Sequence, residues 1–283
     1  MSENMLYVFG KGFQYSKDGK GNRFVLHLQG CNMHCPWCAN PEGISPEPVI
    51  MQKADKIPEW VCRDFRRSDC RLCRNKTCVL KPNSFLVPSS RCIDVDSLFR
   101  EAVSARELMF GGGGVTLTGG EVCMQKSGAA KLLSMLKNAG INTAVESNLS
   151  MEGFEDLLPF LDYVIADYKH YNAEKLKNVT GGRLYVTESN IRKILDSGVP
   201  LLLRIPLVHG FNDSPCAPEH FAEALRGFLK FGDFSVELLP YHEFGRDKWK
   251  QCGMEYKITN GFVSDKFIES MKDGLKEFNI INT

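Results

Sequence analysis

The sequence lacks any long apolar run, and this absence bears on where the protein works. The opening segment, MSENMLYVFGKGFQYSKDGKGNRF, contains no apolar core of a signal peptide, and no later stretch approaches the length that spans a bilayer. We therefore expect a cytoplasmic protein that has no membrane partner.

Charge of one sign is not in excess either. The chain has 35 basic and 34 acidic side chains, a balance that gives no electrostatic attraction for nucleic acid. No Ser-His-Asp signature is evident, and the six histidines show no metal-ligand spacing of their own. Apolar residues at 43% and charged residues at 24% are typical of a globular protein with ample material for a core. The composition therefore argues against a nucleic-acid partner and gives no sign of a hydrolytic triad.

Cysteine, in contrast, is abundant and unevenly distributed. Eight of the eleven cysteines fall in the first third of the chain, namely Cys31, Cys35, Cys38, Cys62, Cys70, Cys73, Cys78 and Cys92. In a reducing compartment such residues are thiols, metal ligands or catalytic groups rather than a disulfide framework. Their clustering favours metal ligands.

Short apolar runs alternate with helical patterns along most of the chain. Six candidate strands begin at Arg23, Val115, Asn142, Asp162, Pro200 and Phe234. Between them, apolar residues at helical spacing predict helices around Leu132 and Leu225, and Thr187 is a plausible N-cap for another helix. This alternation predicts an α/β fold with a parallel sheet, in which barrel-like closure gathers the loops after the strands at one face. We expect the chemistry at that face.

One segment does not follow the alternation. Residues 46–92 have no sustained period, several prolines, five arginines in CRDFRRSDCRLCR, and a group of cysteines. A structureless loop of this length is improbable in a compact domain unless a metal organises it. We therefore interpret 46–92 as a small cysteine-rich insertion, and 1–45 together with 93–283 as the main domain.

The densest cysteine group is QGCNMHCPWCANPEG, residues 29–43, in which Cys31, Cys35 and Cys38 have C-x3-C-x2-C spacing. Three thiolates from one loop can hold a zinc ion or three irons of a 4Fe-4S cluster. A closed zinc site needs a fourth ligand, which His34 could supply only if the loop turned back on itself. A cubane held by three cysteines instead keeps one iron open for chemistry.

This loop resembles the cluster-binding loop of radical S-adenosylmethionine (SAM) enzymes, whose pattern is C-x3-C-x-aromatic-C. It looks most like the activating enzymes of glycyl radical enzymes, such as pyruvate formate-lyase activating enzymes. The resemblance implies a partial (β/α)6 TIM-like barrel, in which Cys31, Cys35 and Cys38 ligate three irons and Trp37 borders the SAM adenine.

Further segments are similar to the family over nearly the whole chain. DGKGNRF is similar to the family's D-G-P-G-x-R motif before the first strand, with Lys20 in place of proline, and His27 stands where an aromatic residue is common. GGGGVTLTGGE, TAVESN, VIADYKHYN, LLRIPLVHGFND and ELLPYHEFG match later motifs. The resemblance implies SAM or monovalent-cation contacts from Gly119, Gly120, Glu121, Glu146, Ser147, Asp167, Lys169, Arg204 and His242.

The resemblance also implies a reaction. SAM would chelate the open iron, and one electron from a flavodoxin or ferredoxin would cleave it to methionine and a 5′-deoxyadenosyl radical. That radical would abstract hydrogen from a backbone glycine of a partner glycyl radical enzyme, and we expect the activating protein to be a monomer. The alternatives are a radical SAM enzyme with a different substrate, an iron-sulfur electron carrier and a zinc-binding module.

The insertion carries its own cysteine pattern. Cys70, Cys73 and Cys78 form C-x2-C-x4-C, with Cys62 upstream and Cys92 downstream. Many members of the family carry a ferredoxin-like insertion with two four-cysteine sets here, whereas this chain has five candidates. We expect at most one auxiliary 4Fe-4S cluster, held by the three central cysteines and either Cys62 or Cys92. Zinc or spare thiols are the alternatives.

Overall fold

A computed structural model describes residues 3–57, 61 and 85–281. The strands of this part are β1 (Met5–Tyr15), β2 (Asn22–Leu28), β3 (Ile50–Gln52), β4 (Leu86–Pro88), β5 (Arg91–Asp94), β6 (Val115–Gly119), β7 (Thr143–Ser147), β8 (Tyr163–Asp167), β9 (Leu201–Leu207), β10 (Ser235–Pro240) and β11 (Asn279–Ile280). The helices are α1 (Val95–Ser104), α2 (Lys126–Asn138), α3 (Ala173–Thr180), α4 (Leu184–Ser197), α5 (Ala217–Arg226), α6 (Arg246–Gln251) and α7 (Asp265–Gly274). Short 3-10 helices occupy Pro41–Gly43, Arg106–Leu108, Val122–Gln125 and Phe154–Phe160.

The main sheet confirms the predicted α/β fold. Within the described residues its order is β5-β1-β2-β6-β7-β8-β9-β10-β11, and every neighbouring pair from β2 to β11 is parallel. The six predicted strands are β2 and β6 to β10. Strand β1 pairs antiparallel with both β2 and β5. The sheet is open, with β5 and β11 as its edge strands, as expected for a partial barrel.

Side chains on the central strands alternate between two faces with the period of two that an extended backbone imposes. In β6, Val115 and Leu117 belong to the apolar core, whereas Thr116 and Thr118 point to the opposite, inner face. The inner face carries polar side chains from six neighbouring strands, and we call this set the polar layer: His27, Thr118, Glu146, Asp167, Arg204 and Glu237.

The helices cover the apolar face. Leu132, Leu133 and Leu136 of α2 are fully buried, as their spacing predicts, and the chain leaves the helix through Gly140 at a φ of 69°. The prediction that Thr187 caps a helix is wrong, because α4 already begins at Leu184. Thr187 is buried inside α4, where its hydroxyl donates to the carbonyl of Asn148 at 3.3 Å. None of the helices in the described ranges is both long and apolar enough to cross a bilayer.

The described ends of the predicted insertion lie in two different sheets. Strands β3 and β4 pair with each other as a separate antiparallel ladder, whereas β5 joins the main sheet beside β1. Cys92 on β5 is opposite Tyr7 and its side chain is exposed. Cys62, Cys70, Cys73 and Cys78 lie outside the described residues, so the boundaries of the insertion and its ligand set stay predictions.

Candidate active site

The loop that follows β2 carries Cys31, Cys35 and Cys38, and its backbone is hydrogen-bonded to three parts of the chain. The amide of Cys31 donates to the carbonyl of Ile44 at 3.0 Å, and that of His34 donates to Thr180 at 2.8 Å. The indole of Trp249 on α6 donates to the carbonyl of Cys38 at 2.9 Å. The loop therefore has a fixed path before any ligand binds.

Burial shapes the acidity of the three thiols. It raises the pKa of Cys31 and Cys35 well above the ordinary value and that of Cys38 to about 12, and Cys35 further raises the pKa of both Cys31 and Cys38. Without a metal these thiols stay protonated at neutral pH. Lys169 lowers the pKa of Cys35 and Cys38 but does not offset the effect of burial, and a metal centre that accepts several thiolates would supply the further positive charge.

This donor set fits a cubane cluster better than a single ion. Among the residues that the structure describes, no group of three or more His, Cys, Asp or Glu side chains is arranged around one metal ion. His34, the candidate fourth zinc ligand, is exposed to solvent. A 4Fe-4S cluster puts each cysteine on a different iron, so the three thiols need not converge on one point.

Trp37 lies between the second and third cysteine positions of this loop. Its half-buried ring packs against Phe211, with the ring centroids 4.7 Å apart and the planes tilted by 47°. Phe211 follows β9, so the contact joins the cysteine loop to the far side of the sheet. The contact of Trp37 with adenine stays a prediction.

The glycines at the end of β6 allow close approach of two backbones. A Cβ on Gly120 would lie 2.0 Å from the carbonyl oxygen of Gly30, and Gly119 has a φ of 108°. The amide of Glu121 then donates to Gly30 at 2.7 Å. These contacts fasten the end of β6 to the start of the cysteine loop.

Glu121 is fully buried and bonded within the chain. Its carboxylate accepts from the hydroxyl of Ser147 at 2.7 Å and from the amides of Asn148 at 2.8 Å and Cys123 at 3.3 Å. Burial raises its pKa, and these three donors oppose the rise. Glu121 and Ser147 thus join β6 to β7, and their predicted SAM contacts stay predictions.

Arg204 joins two carboxylates of the polar layer. Its Nη1 donates to Glu146 at 2.7 Å and its Nε donates to Glu237 at 2.5 Å, while Nη2 donates to the carbonyl of Lys17. Burial opposes ionisation of Glu146, but Arg204 lowers its pKa. The sequence reasoning singled out Arg204 and Glu146 but missed Glu237. The alternation in FSVELL was the available signal, because it puts Glu237 on the face that Arg204 shares.

Asp18 begins the DGKGNRF segment, but the sequence reasoning gave it no role. It lies in the turn between β1 and β2 and hydrogen-bonds Glu146. Burial and the neighbouring Glu146 carboxylate raise its pKa to about 7, although Arg204 and Arg23 oppose the rise. The carboxyl group of Asp18 therefore titrates near neutral pH.

Lys169 follows β8 on the same side as the cysteine loop. Its ammonium lies 2.7 Å from the carboxylate of Asp167, and both side chains are largely buried. Burial disfavours the charged form, but Asp167 and then Cys35 raise the pKa of Lys169 above its ordinary value. A charged ammonium beside the cysteine loop suits a carboxylate ligand.

His242 differs from the other predicted contacts. It follows β10, is exposed, and stacks on Phe244 with the ring centroids 4.4 Å apart. Burial of part of the ring lowers its pKa, so the imidazole is neutral at physiological pH. Its contact with adenosine stays a prediction.

Comparison with known proteins gives a consistent family. The model of the Radical SAM superfamily matches residues 25–217. The chain is 30% identical to the choline trimethylamine-lyase activating enzyme of Oleidesulfovibrio alaskensis, over 98% of this chain and 97% of that protein. It is 32% identical to the pyruvate formate-lyase 2-activating enzyme of Escherichia coli, over 85% of this chain and 79% of that protein.

A solved structure agrees on the fold. The chain matches a radical SAM methyltransferase from Sphaerobacter thermophilus with a TM-score of 0.56, over 95% of this chain and 67% of the other. The sequence identity of that pair is 14%, so the likeness concerns the fold alone.

Proposed function

The chain belongs to the radical SAM superfamily, and we propose on that premise that it activates a partner glycyl radical enzyme. The observation that carries the proposal is the three-cysteine loop after β2, at the edge of the sheet where Lys169 and the polar layer lie. Similarity to activating enzymes over nearly the whole chain supports the same reading.

A 4Fe-4S cluster and SAM together supply reductive cleavage of SAM and a 5′-deoxyadenosyl radical that abstracts hydrogen from a backbone glycine. The chain holds the three thiols of Cys31, Cys35 and Cys38 on a loop of fixed path. Lys169, kept charged by Asp167, binds the carboxylate of SAM, and Trp37 covers its adenine. The buried Cys35 and the half-buried Trp37 limit the access of water to this pocket.

The remaining predicted contacts complete the proposed SAM site. The ends of β6 and β7 contribute Gly119, Gly120, Glu121 and Ser147 near the methionyl group, and Glu146 faces a monovalent cation. Arg204 lies deeper in the same cavity, and His242 reaches the adenosine from the exposed loop after β10. Residues 46–92 form the insertion, in which Cys70, Cys73, Cys78 and either Cys62 or Cys92 hold one auxiliary 4Fe-4S cluster.

The proposed setting follows from the chemistry. Cleavage of SAM needs a low-potential electron, which a flavodoxin or ferredoxin supplies. The protein works in the cytoplasm, because a reducing compartment preserves both the thiols and the clusters. It acts as a monomer. The backbone glycine that it oxidises lies in another chain, so the partner enzyme occupies the open side of the partial barrel during the reaction.

The test is anaerobic purification followed by a dithionite-driven assay for 5′-deoxyadenosine. We expect an iron-replete, coloured protein that forms 5′-deoxyadenosine from SAM. An electron carrier would contain iron but form no product, and a zinc module would be colourless. Absence of 5′-deoxyadenosine from an iron-replete sample would overturn the proposed function.

A further inference from the structure

A cleft of about 310 Å³ lies against β1 and β2 on the inner face of the sheet. We call it the β1–β2 cleft. The residues that matter for its chemistry are Gly10 and Gly12 on β1, His27 on β2, Asn40 and Glu42 just after the cysteine loop, and Lys248 on α6. His27 also belongs to the polar layer, but none of these residues is assigned a contact with SAM above.

Two buried polar atoms of this cleft have no hydrogen-bond partner: Nδ1 of His27 and Oε2 of Glu42. Glu42 is only 6% exposed, and its other oxygen is paired with the ammonium of Lys248 at 2.8 Å. Buried polar groups in proteins are nearly always satisfied, because an unmade hydrogen bond costs free energy. Both atoms are therefore free to bond a ligand that enters this cleft.

The charges around the cleft select the kind of ligand. Lys248 already balances the carboxylate of Glu42, and Lys11, which also lines the cleft, is paired with Glu101, so a further cation is not needed. An anion has no hydrogen to donate to Oε2 of Glu42. Lys248 also donates to Oδ1 of Asn40 at 2.8 Å, which leaves the amide nitrogen of Asn40 as a donor. Burial lowers the pKa of His27, whose ring is thus neutral. A neutral group that donates one hydrogen bond and accepts another matches this set, and an amide is such a group.

The cleft adjoins the reaction site. His27 is in register with Thr118 on the neighbouring strand, and the hydroxyl of Thr118 donates to Glu146 in the polar layer at 2.7 Å. Asn40 and Glu42 follow Cys38 by two and four residues. A polypeptide segment that brings a glycine to the cysteine loop would therefore pass beside the cleft.

We propose that the β1–β2 cleft binds an amide group of the partner segment that carries the target glycine, and that His27 and Glu42 thereby determine which partners are activated. The amide is either a side-chain carboxamide or a main-chain peptide group. This inference rests on the proposed function, because it assumes that a polypeptide enters the barrel.

The test measures peptide binding by the anaerobic holoenzyme with SAM and without a reductant. The probes are fluorescein-labelled nonapeptides of alanine with one central glycine, in which a single Gln is moved through the other eight positions. Matched peptides carry Met, Glu or Lys in place of Gln. Fluorescence anisotropy gives the dissociation constants without any turnover, so the result is independent of whether SAM is cleaved.

For a side-chain amide we expect one position at which Gln binds about tenfold more tightly than Met, because Met leaves Glu42 unsatisfied. Glu and Lys at that position bind no better than Met. The preference disappears in Glu42→Gln and His27→Phe. It disappears also in Gly12→Val, which fills the cleft from a position where an added Cβ meets nothing within 4 Å. The control variant Lys193→Ala keeps the preference, because Lys193 lies on α4, away from the cleft.

For a main-chain amide no Gln position matters, but N-methylation of one peptide bond weakens binding to the wild type and not to Glu42→Gln. Tighter binding of a Lys peptide would identify a cation site and overturn the proposal. The proposal is also overturned when every peptide binds the wild type and the three cleft variants equally. Either result leaves the 5′-deoxyadenosine assay, and so the proposed function, unaffected.

Discussion

Leu203 and Arg204 are neighbours on β9 but lie on opposite faces of the sheet. Leu203 is fully buried in the apolar core beneath the helices, and Arg204, 8% exposed, is surrounded by the carboxylates of Glu146 and Glu237. Both side chains are removed from water, yet one is stabilised by apolar contact and the other by ion pairs. The outer face holds the fold together, and the inner face concentrates charge where the cysteine loop lies.

The inner face is costly in itself. Buried charges lose hydration, and their mutual attraction only partly offsets that loss. Apolar residues at the same positions would pack with less penalty, so the polar layer is best explained by its chemistry rather than by stability. Substitutions that change one face and spare the other test this difference.

The largest effect is expected at the cysteine loop. Cys35→Ala removes a proposed iron ligand, so iron content falls and 5′-deoxyadenosine formation drops more than about 100-fold, beyond the loss typical of residues that only support a ligand. Cys216→Ala is the matched control, because Cys216 is exposed and its side chain makes no capping hydrogen bond at the start of α5. Full activity in Cys35→Ala would contradict the assignment.

The next effect separates the two faces of β9. Arg204→Met leaves Glu146 and Glu237 without their common partner and should lower the free energy of unfolding by about 3–5 kcal/mol. Leu203→Ala should lower the free energy of unfolding by a similar amount, about 2–5 kcal/mol, because it leaves a cavity in the apolar core. Urea unfolding measures both values.

Activity then distinguishes this pair of variants. Folded Leu203→Ala should keep the wild-type kcat/KM for SAM cleavage, whereas Arg204→Met should lower it. Equal activity of both folded variants would mean that the inner face contributes only to stability.

A smaller effect concerns pH. The folded-state pKa of Asp18, about 7, lies above its ordinary value of 3.8, so the folded protein binds this proton more tightly than the unfolded chain. The stability that Asp18 contributes is therefore present at acid pH and is lost as the pH rises through 7. The unfolding free energy of the wild type minus that of Asp18→Asn should decrease from pH 4 to pH 7 and then stay constant. A difference that grows with pH would refute the assigned pKa.

The smallest effect on SAM cleavage is expected in the insertion. Cys73→Ala should remove the auxiliary cluster and about half of the iron, since each cubane holds four irons, while 5′-deoxyadenosine formation persists. The iron contents of Cys92→Ser and Cys62→Ser then show which of these two cysteines is the fourth ligand. Loss of cleavage in Cys73→Ala as large as that in Cys35→Ala would contradict an auxiliary role.

Periodicity predicts the parallel part of the fold well, because strands that are buried on both faces have short apolar runs in the sequence. All six predicted strands are present, and the buried residues of α2 follow the predicted stripe. Strand β1 escapes this reasoning because glycines at Gly10 and Gly12 interrupt its alternation and a register shift lies between Val8 and Gly10. Those same glycines leave room for the β1–β2 cleft.

The site is predicted where a motif is local in sequence and is missed where contacts are distant. The cysteine loop and the Asp167–Lys169 pair each lie within a few residues, so their spacing can be read directly. Asp18 meets Glu146 only through the turn between two strands, and Glu237 meets Arg204 only through strand pairing. The orphaned atoms of His27 and Glu42 depend on burial, which composition and spacing do not reveal.

The central claim is that the radical formed here takes hydrogen from a glycine of another protein. The most direct measurement uses a candidate partner glycyl radical enzyme, produced with α-deuterated glycine, and incubated anaerobically with this protein, SAM and a reductant. The account predicts 5′-deoxyadenosine that contains deuterium, together with a glycyl radical signal in electron paramagnetic resonance. Undeuterated 5′-deoxyadenosine without a glycyl radical would contradict it.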